Sequence, residues 1–367
     1  MKIICTQENL IKGLGIVSHI AGKNISLPIL NNILIKTEEG MVRLMSTNLD
    51  IGIKTAIRGK IEKEGEVTVG SKILTDYIAL VPGGNITIEE SDNKLLIKTE
   101  NQETILNYQS AEEYPVIPWV NTDGGLVVEA VVFREALGQV INSASYEDIR
   151  PELSGVLMVI NKEELIMAAT DSYRLAEKKI KIKKNNLGQE MAYKIVPLRA
   201  LQEVLRVCGD GEKELKIGFS DNQAIFDFGE TVIMSRLIEG NYPEYKEIIP
   251  AGWKTRVLIE KNSLISQVKA ASLFSRAGIN DVLMDFNKNN LVVSAANSQY
   301  GENKSKIEAT IEGENNSVVF NYKYLLDGLQ NISQKKVLME VNSADMPVIL
   351  RPETGDDYLY LVMPIRR

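Results

Sequence analysis

The chain has 367 residues, a net charge of −7, one histidine and two cysteines, and 44% of its residues are hydrophobic but only 6% aromatic. A lone histidine excludes multi-histidine metal centres, and Cys5 and Cys208 each lie inside an apolar pattern, which suits buried, reduced thiols better than a bridge. No run approaches the ~18 apolar residues of a membrane span, and an acidic balance argues against a protein that simply coats nucleic acid.

The first residues, Met1 to Glu8, read as a strand entering a helix and lack the apolar core of a signal peptide, so a cytoplasmic protein is expected. Leu10, Leu14 and Val17 give that helix an apolar stripe, with Lys12, His19 and Lys23 around it. A strand at Ile33–Lys36 leads to a turn at Thr47-Asn48, a second helix carries Lys72, Leu74 and Ile78, and Tyr114–Pro118 closes the segment before a polar linker with Trp119. The series then begins again. Phe133, Leu137 and Val140 make a helix stripe, Val156–Val159 leads to Thr170-Asp171, Leu201 and Leu205 mark a second helix with Arg199 and Arg206, and Tyr242-Pro243 with Pro250 closes. A third pass runs through Leu264, Val268 and Ala271, then Leu283–Phe286 to Ala296-Asn297, then Leu325 and Leu329.

Asn48, Asp171 and Asn297 fall 123 and 126 positions apart, about a third of the chain. The sequence therefore predicts an α+β protein of three copies of one unit, at residues 1–118, 127–250 and 254–367. The helices carry the basic residues on their polar faces, Arg134, Lys261, Lys269, Arg276 and Lys323 among them, with the neutral Gln139 on the same face as Arg134, whereas acids crowd the strands and loops. Three such units with sheets joined edge to edge would leave a free edge at each end, which a second copy could cover. Helices lining a closed assembly would then hold a polyanion without reading bases.

The search for chemistry returns little. Gly13-Leu14-Gly15 lies inside a helix pattern and lacks the third glycine of a dinucleotide fingerprint, and no phosphate-cradling loop is present. The enzyme alternative is a magnesium-dependent hydrolase using Asp171 with Glu112-Glu113 or Asp356-Asp357. Against it, Asp171 repeats Asn48 and Asn297, which marks a turn position rather than a ligand. A third alternative is a peptide-binding scaffold that never encloses DNA.

Leu27–Asn32, the stretch Ala169–Ala176 with Thr170-Asp171-Ser172-Tyr173-Arg174-Leu175, and the ending Val362-Met363-Pro364-Ile365-Arg366 resemble the bacterial DNA polymerase III beta subunits, the sliding clamps. The resemblance runs in register along the whole chain. It implies three DNA-clamp domains per chain and two chains closing a six-domain ring, with helices inside and sheets outside. It further implies no catalysis, metal or cofactor, and no membrane. Its partners would be encircled double-stranded DNA, the polymerase III alpha subunit and other polymerases, the clamp loader, and mismatch-repair and ligase-type proteins.

Carried over by position, the partner groove would comprise Leu153, Thr170, Ser172, Tyr173, Arg174, Leu175, Pro243, Ile248, Met346, Val362, Met363, Pro364, Ile365 and Arg366, and Leu361 is expected in the core instead. Its apolar and methionine content suits leucine and phenylalanine anchors on an extended peptide. DNA contacts would fall on Lys23, Asn24, Lys72, Arg150 and Arg199, and the dimer seam on Ile105, Leu106 and Leu273. The chain departs from many relatives in having Ser172-Tyr173 in place of glycine-histidine and Glu247 in place of arginine, which makes the groove rim less basic.

Overall fold

The computed structural model describes residues 1–22, 26–91, 94–119, 122–147, 149–188, 191–209, 211, 213–288 and 290–366. They form two compact units, one of residues 1–131, 183–188 and 199–237 and the other of residues 132–182, 189–198 and 238–367. Neither unit coincides with one sequence repeat, because each contains a sheet shared by two repeats.

In the first unit, helices α1 (Gln7–Val17) and α2 (Ser71–Leu80) bury Leu10, Leu14 and Val17, and Leu74 and Ile78, the stripes that the sequence predicts. Thr6 starts α1 by accepting a hydrogen bond from the Asn9 amide, satisfying one of the free donors of the first turn. A five-stranded antiparallel sheet has Glu103–Asn107 at one edge and Lys60–Lys63 at the other. A nine-stranded sheet joins the first repeat to the central one: strand Ile51–Ile57 pairs antiparallel with Thr231–Arg236, in the register Ile53 to Ile233.

The second unit repeats the device. Strand Arg174–Lys181 of the central repeat pairs with Tyr358–Val362 of the third, Leu175 opposite Leu361, inside another nine-stranded sheet. A four-stranded sheet runs from Gly301–Ile307 at one edge to Asn316–Asn321 at the other. Three helices belong mostly to this unit or to its repeats: α3 (Ala130–Ile141) buries Phe133, Leu137 and Val140, α5 (Lys261–Ser272) buries Leu264, Val268 and Ala271, and α6 (Tyr322–Gln330) buries Leu325 and Leu329. The remaining helix, α4 (Leu198–Val207), corrects one expectation. Its buried stripe is Leu201, Val204 and then Cys208, spaced by three and four residues, and Leu205 is only half buried.

Several cations placed on open helix faces prove to be occupied. In the first unit, the Arg206 guanidinium donates to the carbonyl oxygens of Gly15 (2.9 Å) and Ile16 (2.6 Å), which end α1 and lack helical partners, while its Nε donates to Glu203 (2.8 Å). His19 pairs through Nδ1 with the same Glu203 carboxylate. In the second unit, the Lys261 ammonium donates to the Ile332 carbonyl (2.5 Å), and Gln139 exchanges hydrogen bonds with Asn331 just past α6. Arg276 lies beyond α5 and donates through Nε to Asp281 (2.9 Å). Free cysteines Cys5 and Cys208 are both buried.

Candidate functional site

The site begins with a turn that the chain builds three times. Asp171 Oδ1 accepts from the amides of Tyr173 and Arg174, each at 3.0 Å, and Thr170 Oγ1 donates to the Arg174 carbonyl (2.6 Å) while accepting from the Ser172 amide (3.1 Å). Asn48 Oδ1 does the same for Asp50 (3.1 Å) and Ile51 (2.8 Å), with Thr47 in the part of Thr170, and Asn297 Oδ1 accepts from Gln299 (2.9 Å). A short side chain that bonds the backbone two residues ahead is what the position requires. Leu49 (φ 79°) and Ser172 (φ 75°) follow in the left-handed region, where glycine is at ease and other residues are strained.

In the central repeat the turn also fixes a side chain. Asp171 Oδ2 accepts from Arg174 Nε (3.0 Å), and Asp327 of α6 binds the other end of the guanidinium. Arg174 thereby lies over the Tyr324 ring, 4.6 Å from its centre, and Tyr324 stacks on Tyr173 at 6.1 Å. Asp171 is thus fully engaged in structure, which removes the residue on which the hydrolase alternative rested. Among the described residues, no three His, Cys, Asp or Glu side chains gather as a metal site.

One face of the joined sheet carries a small core beneath this turn. Leu157, Ile166, Leu175, Ile349 and Leu361 belong to it, and Ile238, Tyr242, Ile249 and Met363 pack on it half buried. Leu361 therefore lies in the core, as expected. Two tyrosines hold the segment after Arg236 against the sheet: the Tyr242 hydroxyl accepts from the Thr170 amide (3.0 Å), and the Tyr245 hydroxyl donates to the buried Glu177 carboxylate (2.5 Å). That positions Pro243 and the 45% exposed Ile248 as one wall. The other wall is the carboxy-terminal run. Beyond Val362 the Met363 amide donates to the Tyr173 carbonyl and the Ile365 amide to the Val319 carbonyl, both at 2.8 Å, so the tail continues as extended chain.

Of the fourteen groove positions, Leu175 is buried within that small core, and Leu153 and Thr170 are buried as well; Val362 is buried but follows Leu361 in the strand and so faces the opposite side of the sheet, which corrects its placement in the groove; Arg174, Pro243, Met363, Pro364 and Ile365 are half buried, and Ser172, Tyr173, Ile248, Met346 and Arg366 are exposed. Ile365 and Arg366 also line, with Leu283 and Val319, a depression of ≈ 800 Å³ over the four-stranded sheet. Tyr324, Asp327, Tyr242, Tyr245 and Glu177 were not anticipated. A tyrosine pair flanking Pro243 was the available signal for two of them, whereas Glu177 reads as one more charge in a strand.

The other anticipated sites are distributed as follows. Lys23 and Asn24 lie outside the described residues. Lys72 on α2 is 84% exposed with an ion pair to Asp76 (2.6 Å), and Arg199 is exposed in the first turn of α4. Arg150 is exposed but donates to Glu152 (3.1 Å) and reaches Ser172 Oγ at 3.5 Å, which puts it on the groove rim. Ile105 is 55% exposed on the edge strand Glu103–Asn107, Leu106 is half buried beside it, and Leu273 is 75% exposed just past α5.

Residues 1–118, 127–244 and 246–366 match in turn the N-terminal, central and C-terminal domains of the DNA polymerase III beta subunit. The chain belongs to the DNA polymerase III beta subunit family. It is accordingly built from three DNA-clamp domains and is a sliding clamp of DNA replication. The beta sliding clamp of Staphylococcus epidermidis is 30% identical over 352 residues, 93% of each chain, and that of a Synechocystis species is 29% identical over 388 residues, covering 100% of this chain and 99% of the relative. A putative DNA polymerase III beta subunit of Eubacterium rectale, solved as a crystal structure, superposes with a TM-score of 0.94 at 26% identity, covering 100% of both chains.

Proposed function

We propose that two copies of this clamp close head to tail into a six-domain ring around duplex DNA and tether polymerases and repair proteins through the groove beside Met363. The observation that carries the reading is the repeated edge-to-edge pairing, Ile51–Ile57 with Thr231–Arg236 and Arg174–Lys181 with Tyr358–Val362, which makes continuous sheets out of successive repeats. Two edge strands, Glu103–Asn107 of the five-stranded sheet and Gly301–Ile307 of the four-stranded sheet, are available for the same pairing between chains, with Ile105, Leu106 and Leu273 as the apolar part of the seam.

Lys72, Arg150 and Arg199, with Lys23 and Asn24, make non-specific phosphate contacts in this reading, and the ring holds DNA by topology more than by affinity. The protein is not an enzyme, works in the cytoplasm, and is opened by a clamp loader. Its partners are the polymerase III alpha subunit, other polymerases, and mismatch-repair and ligase-type proteins. Loading on nicked circular DNA followed by linearisation tests the ring. Retention on the circle and loss from the linear form is the expected result, and equal retention on both forms leaves only a peptide-binding scaffold. Anisotropy with a labelled Gln-Leu-Ser-Leu-Phe peptide tests the groove, with saturable binding expected to the full chain and lost from a chain ending at Val362.

A further inference from the structure

The walls of the groove are apolar, but acids stand beside the apolar residues of one wall and of the neighbouring rim. Glu244 and Glu247 flank Pro243 and Ile248 and are exposed, Glu152 adjoins Leu153, and Asp345 adjoins Met346. Asp327 stands 41% exposed behind Arg174. The cations nearby do not balance them toward solvent. Arg150 is paired with Glu152, Arg174 is shared between Asp171 and Asp327, and the exposed Arg366 acts on Asp345, leaving the exposed Lys246 against Glu244 and Glu247. A second observation points to the same ligand chemistry. Tyr173 is 61% exposed, stacked through one face on Tyr324, and Arg174 already uses the Tyr324 ring as a cation platform. The outward face of Tyr173 offers an incoming guanidinium or ammonium group the same electron-rich surface.

We propose that this groove selects partner segments whose hydrophobic anchor is flanked by lysine or arginine, the acidic rim steering them in and Tyr173 receiving one basic side chain. The proposal rests on the groove reading above and adds the charge of the partner to it. Rim charges act mainly on encounter and on discrimination, and salt screens them within about 10 Å at 0.1 M.

The test uses fluorescence anisotropy of the full chain with three labelled peptides sharing Gln-Leu-Ser-Leu-Phe, flanked by two lysines, two serines or two glutamates on each side. At about 50 mM salt the lysine-flanked peptide is expected to bind about 10-fold tighter than the glutamate-flanked one, narrowing to about 2-fold or less near 0.5 M. Glu244→Lys with Glu247→Lys is expected to erase or invert the order, and Tyr173→Ala to weaken the lysine-flanked peptide more than the serine-flanked one. Equal affinities at low salt, or tighter binding of the glutamate-flanked peptide, overturns the proposal while saturable binding of the serine-flanked peptide keeps the groove. So does a lysine preference that survives undiminished in Met363→Ser, which marks adsorption to an acidic surface. Absence of binding by all three overturns the groove and the proposal together.

Discussion

Asp171 shows how a repeated position acquires a second task. In the other copies an asparagine Oδ1 holds the turn, and Asn297 also donates through Nδ2 to the Ser275 carbonyl, whereas the second carboxylate oxygen of Asp171 orients Arg174. Asp171→Asn is therefore expected to keep the fold, with the chemical-denaturation midpoint close to the parent, and to lose groove affinity as Arg174 loosens from Tyr324. Asp171→Ala removes both and costs about 1–3 kcal/mol in the same measurement. Cys5 carries a different prediction. Burial pushes its thiol from 9.0 up to about 11. A raised folded value means that Cys5 favours the native state below pH 9.0 and that this support is lost as pH rises toward about 11. Thiolate is the reactive species, so Cys5 should resist iodoacetamide at pH 8 until denaturant is added. At this scale the sequence was informative where chemistry repeats, as at Asn48, Asp171 and Asn297. It was silent where one residue answers another from a distant segment, as Tyr245 answers Glu177.

At the scale of elements, periodicity located the helices because burial of one stripe leaves a periodic record, and Leu10, Leu14 and Val17 or Leu264, Val268 and Ala271 are read directly. Which exposed cations are free leaves no such record. Arg206 and Arg199 look alike in α4, yet one closes the carbonyl end of α1 and the other projects unburied. Arg206→Met should lower stability by about 1–3 kcal/mol through the loss of charged hydrogen bonds, seen as a lower urea midpoint. Arg199→Met should leave the midpoint within about 0.5 kcal/mol of the parent and reduce the salt slope of DNA binding. Packing of α6 gives a sharper case. A Cβ at Gly328 would stand 2.3 Å from the ring of Tyr360, which is 0% exposed and donates its hydroxyl to the Tyr324 carbonyl (2.7 Å). Gly328→Ala must therefore push α6 outward, with a loss of about 1–3 kcal/mol and weaker peptide binding, because Tyr324 and Asp327 move with the helix.

At the scale of the whole molecule, edges decide the outcome. Leu273, 75% exposed past α5, leaves most of a large apolar side chain uncovered. In the proposed ring, Leu273→Asp is expected to convert the dimer to a monomer in native mass spectrometry without changing the far-ultraviolet circular dichroism. The three-copy plan was legible because duplication leaves landmarks at equal intervals. Joining of sheets between repeats was expected, but which strands pair was not legible, since an edge strand and an interior strand differ little in composition when both faces are covered.

One of those pairings reaches into how the chain is made. Strand Tyr358–Val362 lies between Arg174–Lys181 and Val348–Pro352, hydrogen-bonded to both. During synthesis the central segment waits, with one side unsatisfied, until the ribosome has delivered residue 362. The sheet of the first unit, complete by Arg236, can close well before that. Contacts so distant along the chain form slowly, and Arg174–Lys181 thus keeps one hydrogen-bonding edge unpaired until Tyr358–Val362 arrives.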